Sequence, residues 1–87
     1  MNKNFYVYIV ECIDGSLYTG YTTNLDRRLN EHNYSTKAAK YTRSRRPVRL
    51  VHHEVFDNLS SALKREYKIK KLTRKKKLEL IKNPCNP

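Results

Sequence analysis

Four side chains in this sequence carry the functional groups that phosphodiester hydrolysis requires. The reaction needs a nucleophilic water, a stabiliser for the developing negative charge and usually a cation. A tyrosine can help to deprotonate the water, an arginine can clamp the phosphate and a carboxylate can hold a metal ion. The sequence offers candidates for all three roles in Tyr8, Tyr18, Arg28 and Glu66.

Each candidate also has an ordinary structural interpretation. A tyrosine in a strand is usually half-buried packing, but the paired spacing of Tyr8 and Tyr18 argues against that interpretation. His32, four residues after Arg28, is as compatible with a helix-end cap as with a base or ligand. Glu66 lies among Lys64, Arg65, Lys68 and Lys70, so a surface ion pair is its ordinary interpretation.

Two strands and a turn must position the tyrosines. Residues 5–12 are β-branched and aromatic, residues 17–22 suit a returning strand, and Asp14-Gly15 predicts the hairpin turn. Gly20 would let another backbone or a ligand approach closely. The sequence does not determine whether the two phenol rings share a face, because that depends on the strand register.

A helix must present the arginine and the histidine. The Thr23-Asn24 pair predicts its N-cap, and the helix is expected to run to about residue 33. Leu25 and Leu29 are four apart and share the buried stripe. Arg28 and His32, also four apart, then project together near the sheet.

The rest of the chain predicts a third strand and two more helices. Residues 34–47 are polar and basic and predict a long loop or short helical turn, followed by a strand over residues 48–56. Ser60-Ser61 predicts the cap of a helix to about residue 71, and Thr73 caps a last helix in which Leu78 and Ile81 face inward. The order β-β-α-β-α-α indicates an α/β domain of the α+β type, with a small three-stranded, mostly antiparallel sheet flanked by helices.

Length and charge limit the classes of function. A chain of 87 residues predicts one domain over 1–87, with a core of about 5–72 and a basic C-terminal helix and short tail over 73–87. Nineteen Lys and Arg against eight Asp and Glu give a formal charge of +11. This excess favours a polyanionic partner, with nucleic acid first and an anionic membrane surface second.

Compartment is inferred from the cysteines and from hydropathy. Cys12 and Cys85 are not spaced as a redox motif or a disulfide framework, and the N-terminus lacks the apolar stretch of a signal peptide. No run approaches the roughly 18 apolar residues of a membrane span. We therefore expect a cytoplasmic protein with reduced thiols and no membrane partner.

Taken together, these motifs resemble the signature of the GIY-YIG endonucleases. The resemblance covers about residues 5–72 and is closest to the short stand-alone members that consist of the catalytic domain only. It departs from the family pattern where Tyr6 replaces glycine and Thr19 replaces isoleucine. It also lacks a lysine after the second tripeptide and an asparagine near Leu78. The residues that carry the resemblance are Tyr6-Val7-Tyr8, Tyr18-Thr19-Gly20, Asn24-Leu25, Arg28, His32 and Glu66, together with Lys40-Tyr41-Thr42 and Arg45-Arg46-Pro47-Val48.

The resemblance implies a role for each matching residue. Tyr8 and Tyr18 would be the paired active-site tyrosines, and Arg28 would be the phosphate clamp. Glu66 would be the single ligand of a divalent metal, Mg²⁺ or Mn²⁺, and His32 would orient or deprotonate a tyrosine. One carboxylate suits magnesium, because that ion keeps most of its waters.

The leading hypothesis is a metal-dependent endonuclease acting on DNA rather than RNA, with DNA repair or recombination as candidate pathways and a protein partner for targeting. One alternative is a nucleic-acid-binding module of the same fold that is catalytically weak or inactive. Another is a basic accessory protein that binds ribosomal or structured RNA. The candidate substrate contacts are Tyr6, Lys40, Tyr41, Arg43, Arg45 and Arg46.

Overall fold

The computed structural model describes residues 4–83, which form three strands and four helices. The predicted fold class and element order are confirmed. One short helix, α2, is added within the segment predicted as a long loop or helical turn. In chain order the elements are β1 (Phe5–Glu11), β2 (Leu17–Thr22), α1 (Leu25–Tyr34), α2 (Lys40–Arg43), β3 (Arg49–Phe56), α3 (Leu59–Lys70) and α4 (Arg74–Lys82).

The three strands form an antiparallel sheet in the order β2-β1-β3. In the hairpin, Tyr8 pairs with Gly20 and Val10 pairs with Tyr18. Side chains two residues apart on a strand point to the same face, so Tyr8, Val10 and Tyr18 share one face of the sheet. The register thus answers the question that the sequence left open.

The sheet separates two clusters of buried side chains. On one face Val7 and Ile9 pack against Ala62 and Ile69 of α3, with Leu80 and Ile81 of α4 around them. On the opposite face the buried residues Tyr8, Val10, Cys12 and Val48 pack against Leu25 and Leu29 of α1 and Tyr18 of β2. Both leucines predicted for the buried stripe of α1 therefore lie in it.

Side-chain caps fix the starts of the longer helices. The Asn24 side chain accepts a hydrogen bond from the Arg27 amide at 3.0 Å, as predicted for α1. Thr73 likewise caps α4 through the Lys76 amide at 3.2 Å. Helix α3 begins earlier than predicted, because Asn58 accepts from the Ser61 amide at 2.8 Å and so takes the capping position assigned to Ser60-Ser61.

Two further expectations are corrected or fall outside the described residues. Ile81 packs on the core as predicted, but Leu78 is 41% exposed and Leu80 takes the inward position instead. Cys12 is a buried free thiol, whereas Cys85 lies outside the described residues. Within residues 4–83 no helix combines the length and apolar character needed to cross a membrane.

Candidate active site

The two tyrosines and the histidine meet on the α1 face of the sheet. The Tyr8 hydroxyl lies 2.8 Å from Nε2 of His32. The Tyr18 ring stands edge-on to the same imidazole, with ring centroids 5.5 Å apart and an interplanar angle of 67°. Tyr8 is 2% exposed and His32 is fully buried. His32 is therefore an interior partner of both phenols and not a helix-end cap.

Arg28 lies one helical turn before His32 and faces the same phenol. Its Nη1 donates to Oε1 of Glu31 at 2.9 Å and to the Lys37 carbonyl at 3.0 Å. The charge of the guanidinium also acts on the Tyr8 hydroxyl, where it favours the ionised form of the phenol. The sequence predicted that Arg28 and His32, four residues apart, project together near the sheet, and both lie on the side of Tyr8.

Burial decides the protonation states at the centre of this cluster. Desolvation raises the pKa of Tyr8 to about 12, although the Arg28 guanidinium opposes the shift. Desolvation, assisted by the positive charges of Arg28 and Arg46, lowers the pKa of His32 to about 4. At neutral pH the site therefore holds a protonated phenol hydrogen-bonded to a neutral imidazole.

Gly20 makes room for the Tyr8 phenol. A Cβ at position 20 would lie 2.7 Å from the Tyr8 hydroxyl oxygen, well inside van der Waals contact. We expected another backbone or a ligand to approach this glycine. The group that approaches is instead the side chain opposite it in the hairpin, so the glycine holds the phenol in place beside His32.

Glu66 acts on the Tyr8 phenol electrostatically. It lies on α3, which packs on the opposite face of the sheet from Tyr8, and its side chain is 15% exposed. The negative charge of its carboxylate nevertheless contributes to raising the pKa of Tyr8. Lys70, one helical turn later, lies 3.3 Å from the Glu66 carboxylate. The ordinary ion pair expected for Glu66 is therefore present beside its electrostatic link to the phenol.

The donor set at Glu66 fits one kind of metal ion. Within residues 4–83, His, Cys, Asp and Glu form no group of three or more that could hold a metal. A single carboxylate suits magnesium or manganese, which retain waters and borrow oxygen ligands from a phosphate. It does not suit zinc, which in proteins takes three or four nitrogen and sulfur ligands.

Helix α2 lies beside Tyr18 and carries exposed basic side chains. The ring of Tyr41 stacks on the ring of Tyr18, with centroids 6.0 Å apart and planes 22° apart. Lys40 and Arg43 are exposed on either side of Tyr41. Together with Ser44 and Arg45, these residues line an open surface cavity of about 590 Å³.

Arg45 and Arg46 are held by the protein itself. Arg45 lies 3.9 Å over the Tyr41 ring and donates to Asp14 in the hairpin turn at 3.2 Å. Arg46 donates from Nε to the His32 carbonyl at 2.6 Å and from Nη2 to the Ser35 carbonyl. These carbonyls lie at the C-terminal end of α1, where helices lack intrahelical donors. Arg46 stays a predicted substrate contact, with Nε and Nη2 engaged by these carbonyls.

The sequence predicted Tyr6 as a substrate contact and assigned no role to Thr42; the structure adds contacts for both. Tyr6 shares the face of Tyr8 and stands edge-on to His53, with ring centroids 6.4 Å apart. Thr42 entered the sequence analysis only as part of the Lys40-Tyr41-Thr42 motif. In the structure it is fully buried, and its hydroxyl oxygen lies 2.7 Å from Nδ1 of His32. Its signal in the sequence is weak, because a threonine in a basic segment reads as a solvated loop residue.

Comparison with known proteins identifies the class to which this fold and site belong. The family model described as the GIY-YIG catalytic domain matches residues 4–79, which is most of the chain. The chain therefore belongs to the GIY-YIG family. This is a nuclease family whose members are generally dependent on a divalent metal.

Its relatives are small proteins of similar length. The chain is 61% identical to a UPF0213 protein of Syntrophus aciditrophicus over 97% of both chains. It is also 61% identical to a UPF0213 protein of Haloquadratum walsbyi, covering 92% of this chain and 89% of the relative.

Solved structures share the fold. The solution NMR structure of a UPF0213 protein from Bacillus halodurans is 53% identical, with a TM-score of 0.59 and coverage of 91% of this chain and 83% of that one. A protein from E. faecalis is 48% identical, with a TM-score of 0.63 and coverage of 94% and 88%.

Proposed function

We propose that this chain is a metal-dependent endonuclease that hydrolyses phosphodiester bonds in DNA. The observation that best supports the proposal is the convergence of Tyr8, Tyr18 and Arg28 around the His32 imidazole. These groups supply a proton acceptor and a stabiliser of negative charge in a largely dry site, where charge stabilisation is most effective. A function in DNA repair or recombination belongs to this proposal.

The reaction assigns one task to each side chain. The oxygen of a water molecule attacks phosphorus as a proton passes from that water to Tyr8 or Tyr18. The bond from phosphorus to the leaving sugar oxygen breaks, and that oxygen takes up a proton from solvent. Arg28 holds the charge that develops on the non-bridging oxygens. A divalent ion bound by Glu66 would neutralise part of the same charge.

Tyr8 acts by passing a proton on and not as a preformed phenolate. With a pKa of about 12, only about one molecule in 10⁵ carries the ionised phenol at neutral pH. Tyr8 can accept the proton of a water only as it gives up its own. His32, 2.8 Å from the hydroxyl and neutral, is the acceptor within reach.

The exposed side chains near Tyr18 are the proposed contacts to the DNA backbone. Lys40, Tyr41 and Arg43 border the surface cavity beside Tyr18, and Tyr6 lies next to Tyr8 on the same strand. Arg45 contributes by holding Tyr41 in position. Backbone contacts of this kind position a duplex without reading bases, so binding should be weakly sequence-specific and strongly salt-dependent.

The test compares DNA cleavage by matched variants. Arg28→Ala is expected to lower plasmid nicking in magnesium by about 10²- to 10³-fold, the usual loss when one charge-stabilising donor is removed. Its matched control is Arg27→Ala, because the Arg27 side chain is 58% exposed and only pairs with Glu31. Glu66→Gln should abolish the response to added magnesium, whereas Glu79→Gln on the exposed side of α4 should not.

Equal nicking by the wild type, Arg28→Ala and Glu66→Gln would contradict the proposal. The same assay with branched and linear DNA tests the repair or recombination part, which predicts faster cleavage of the branched substrate. A matched RNA substrate tests the preference for DNA.

A second candidate function is a nucleic-acid-binding module without efficient catalysis. The ion pair between Glu66 and Lys70 favours it, because the Lys70 ammonium, 3.3 Å from the carboxylate, competes with a metal ion for its negative charge. This alternative predicts salt-dependent DNA binding by fluorescence anisotropy with no magnesium-dependent cleavage of any DNA substrate.

A further inference from the structure

A chain of three hydrogen bonds runs from Tyr8 to helix α2; the two at His32 are buried and the third is partly buried. The Tyr8 hydroxyl lies 2.8 Å from Nε2 of His32, and Nδ1 of His32 lies 2.7 Å from the Thr42 hydroxyl. Thr42 in turn donates to the Ala39 carbonyl at 3.1 Å. Tyr8, His32 and Thr42 are each at most 2% exposed. Solvent therefore has little access to the two hydrogen bonds at His32.

The last bond in the chain determines where every proton lies. A carbonyl oxygen only accepts, so the single hydroxyl proton of Thr42 points to Ala39. The Thr42 oxygen must then accept a proton from Nδ1 of His32. A neutral imidazole carries one N–H, which leaves Nε2 as a bare acceptor for the Tyr8 proton.

The surroundings of Tyr8 agree with this direction. A guanidinium has only donors, so Arg28 can donate to the phenol oxygen but cannot accept its proton. The phenol oxygen therefore faces the positive charge of Arg28 while its own proton is directed to Nε2 of His32.

We propose that Thr42 is a positioning residue that holds His32 in the Nδ1–H tautomer and so makes His32 the acceptor of the Tyr8 phenolic proton. The consequence for cleavage rests on the proposed function, whereas the tautomer does not. During attack, the water proton passes to the Tyr8 oxygen as the Tyr8 proton passes to Nε2. His32 then carries two N–H groups. After cleavage it returns one proton to Tyr8 as Tyr8 releases its own to solvent, which balances the proton that the leaving oxygen took from solvent.

The opposite tautomer would block this transfer. With the proton on Nε2, His32 would donate to the phenol oxygen, and the Tyr8 proton would have no acceptor on the imidazole. The four-residue helix α2 therefore has a defined task, which is to present the Thr42 hydroxyl to Nδ1 with its own proton already committed to Ala39.

Nitrogen NMR of the histidine rings tests the tautomer without any cleavage assay. In wild-type protein at neutral pH, His32 should show a protonated Nδ1 and an unprotonated Nε2, with its signals assigned by their loss in His32→Gln. Thr42→Val should shift His32 toward the Nε2–H form, and Thr42→Ser should restore the wild-type pattern. An Nε2–H form in the wild type, or an unchanged pattern in Thr42→Val, would overturn the proposal.

Steady-state kinetics provide the second readout. If the chain is a nuclease, Thr42→Val should lower kcat by about 10- to 100-fold with KM unchanged, because assistance by a general base is worth roughly 10² to 10⁴ and the base is misdirected but present. Thr42→Ser should recover most of kcat. Full activity of a correctly folded Thr42→Val would refute the relay. Absence of cleavage by the wild type would instead count against the proposed function, and the NMR result would still decide the tautomer.

Discussion

The two faces of the sheet are built from alternate residues of the same strand, yet they are stabilised in different ways. Toward α3, Val7 and Ile9 bury apolar surface against Ala62 and Ile69. Toward α1, Tyr8 is held by hydrogen bonding to His32. Apolar packing tolerates exchange of side chains of similar volume, whereas a buried polar network must be satisfied in full to avoid a large cost.

The polar face is satisfied at every position that bears on the site. His32 uses both ring nitrogens, and Thr42 both accepts and donates. Among residues 4–83 the buried side-chain polar atom that lacks a hydrogen-bond partner is the Thr19 hydroxyl. Thr19 pairs with Ile9 and so lies on the apolar face. The contrast shows that the buried polar groups under α1 are hydrogen-bonded, whereas the apolar face leaves one hydroxyl without a partner.

The largest expected effect concerns how the stability of the wild-type protein depends on pH, a dependence that replacing His32 should remove. The pKa of His32 is lowered from 6.5 to about 4 by burial, by Arg28 and by Arg46, and Glu31 opposes the shift. Between these values the unfolded chain binds a proton that the folded chain does not. Stability is therefore fully present above pH 6.5 and falls by about 3 kcal/mol as the pH drops to 4.

Urea unfolding between pH 7 and 4 measures this slope. His32→Gln should lose about 3 kcal/mol less than the wild type over that range, because glutamine does not titrate. His53→Gln is the matched control, because His53 pairs with Tyr8 across the sheet but is exposed and lies outside the buried hydrogen-bond network. Parallel curves for the wild type and His32→Gln would show that His32 is not held neutral.

The next largest effect is a difference between alanine substitutions at the two glycines of the chain, in both stability and cleavage. Gly20→Ala should cost about 1 to 3 kcal/mol, as overpacked interiors do. It should also abolish most cleavage, because the new methyl group displaces the Tyr8 hydroxyl from His32. Gly15→Ala has no atom within 4 Å of its new methyl group, but its φ of 84° costs an alanine about 1 kcal/mol.

Unfolding and nicking assays on both glycine variants check this difference. Gly15→Ala should lose stability but keep most of its activity, because its new methyl group meets no atom of the phenols. Wild-type activity in Gly20→Ala would mean that the position of Tyr8 beside His32 is not required.

Local patterns were sufficient to predict much of the site. The Asp14-Gly15 turn, the buried Leu25 and Leu29, and the shared face of Arg28 and His32 all follow from periods of two and 3.6 residues and from turn chemistry. Each of these features depends on residues that are close in sequence. The residue types at positions 8, 18 and 28 then predicted which groups would meet near the helix.

Contacts between distant segments could not be predicted in the same way. The bond from His32 to Thr42 depends on how residues 34–47 fold back, and no periodicity describes that segment. Arg46 binds backbone carbonyls of α1, and carbonyls are present at every residue and leave no signal in the sequence. The cap of α3 was placed at serines two residues late, because Asn58 is an equally good capping residue.

The smallest expected effect compares the same substitution on the two faces. Thr19→Val replaces a buried hydroxyl that has no partner, so the variant should gain about 1 kcal/mol in unfolding free energy. Thr42→Val removes a hydroxyl that serves Nδ1 of His32, so it should lose about 1 to 3 kcal/mol. Both side chains are at most 3% exposed and both changes conserve shape, so exposure and volume do not distinguish them. Opposite signs in chemical denaturation would show that satisfied hydrogen bonding makes the face under α1 different. A loss of similar size in both variants would mean that the two faces tolerate polar groups alike.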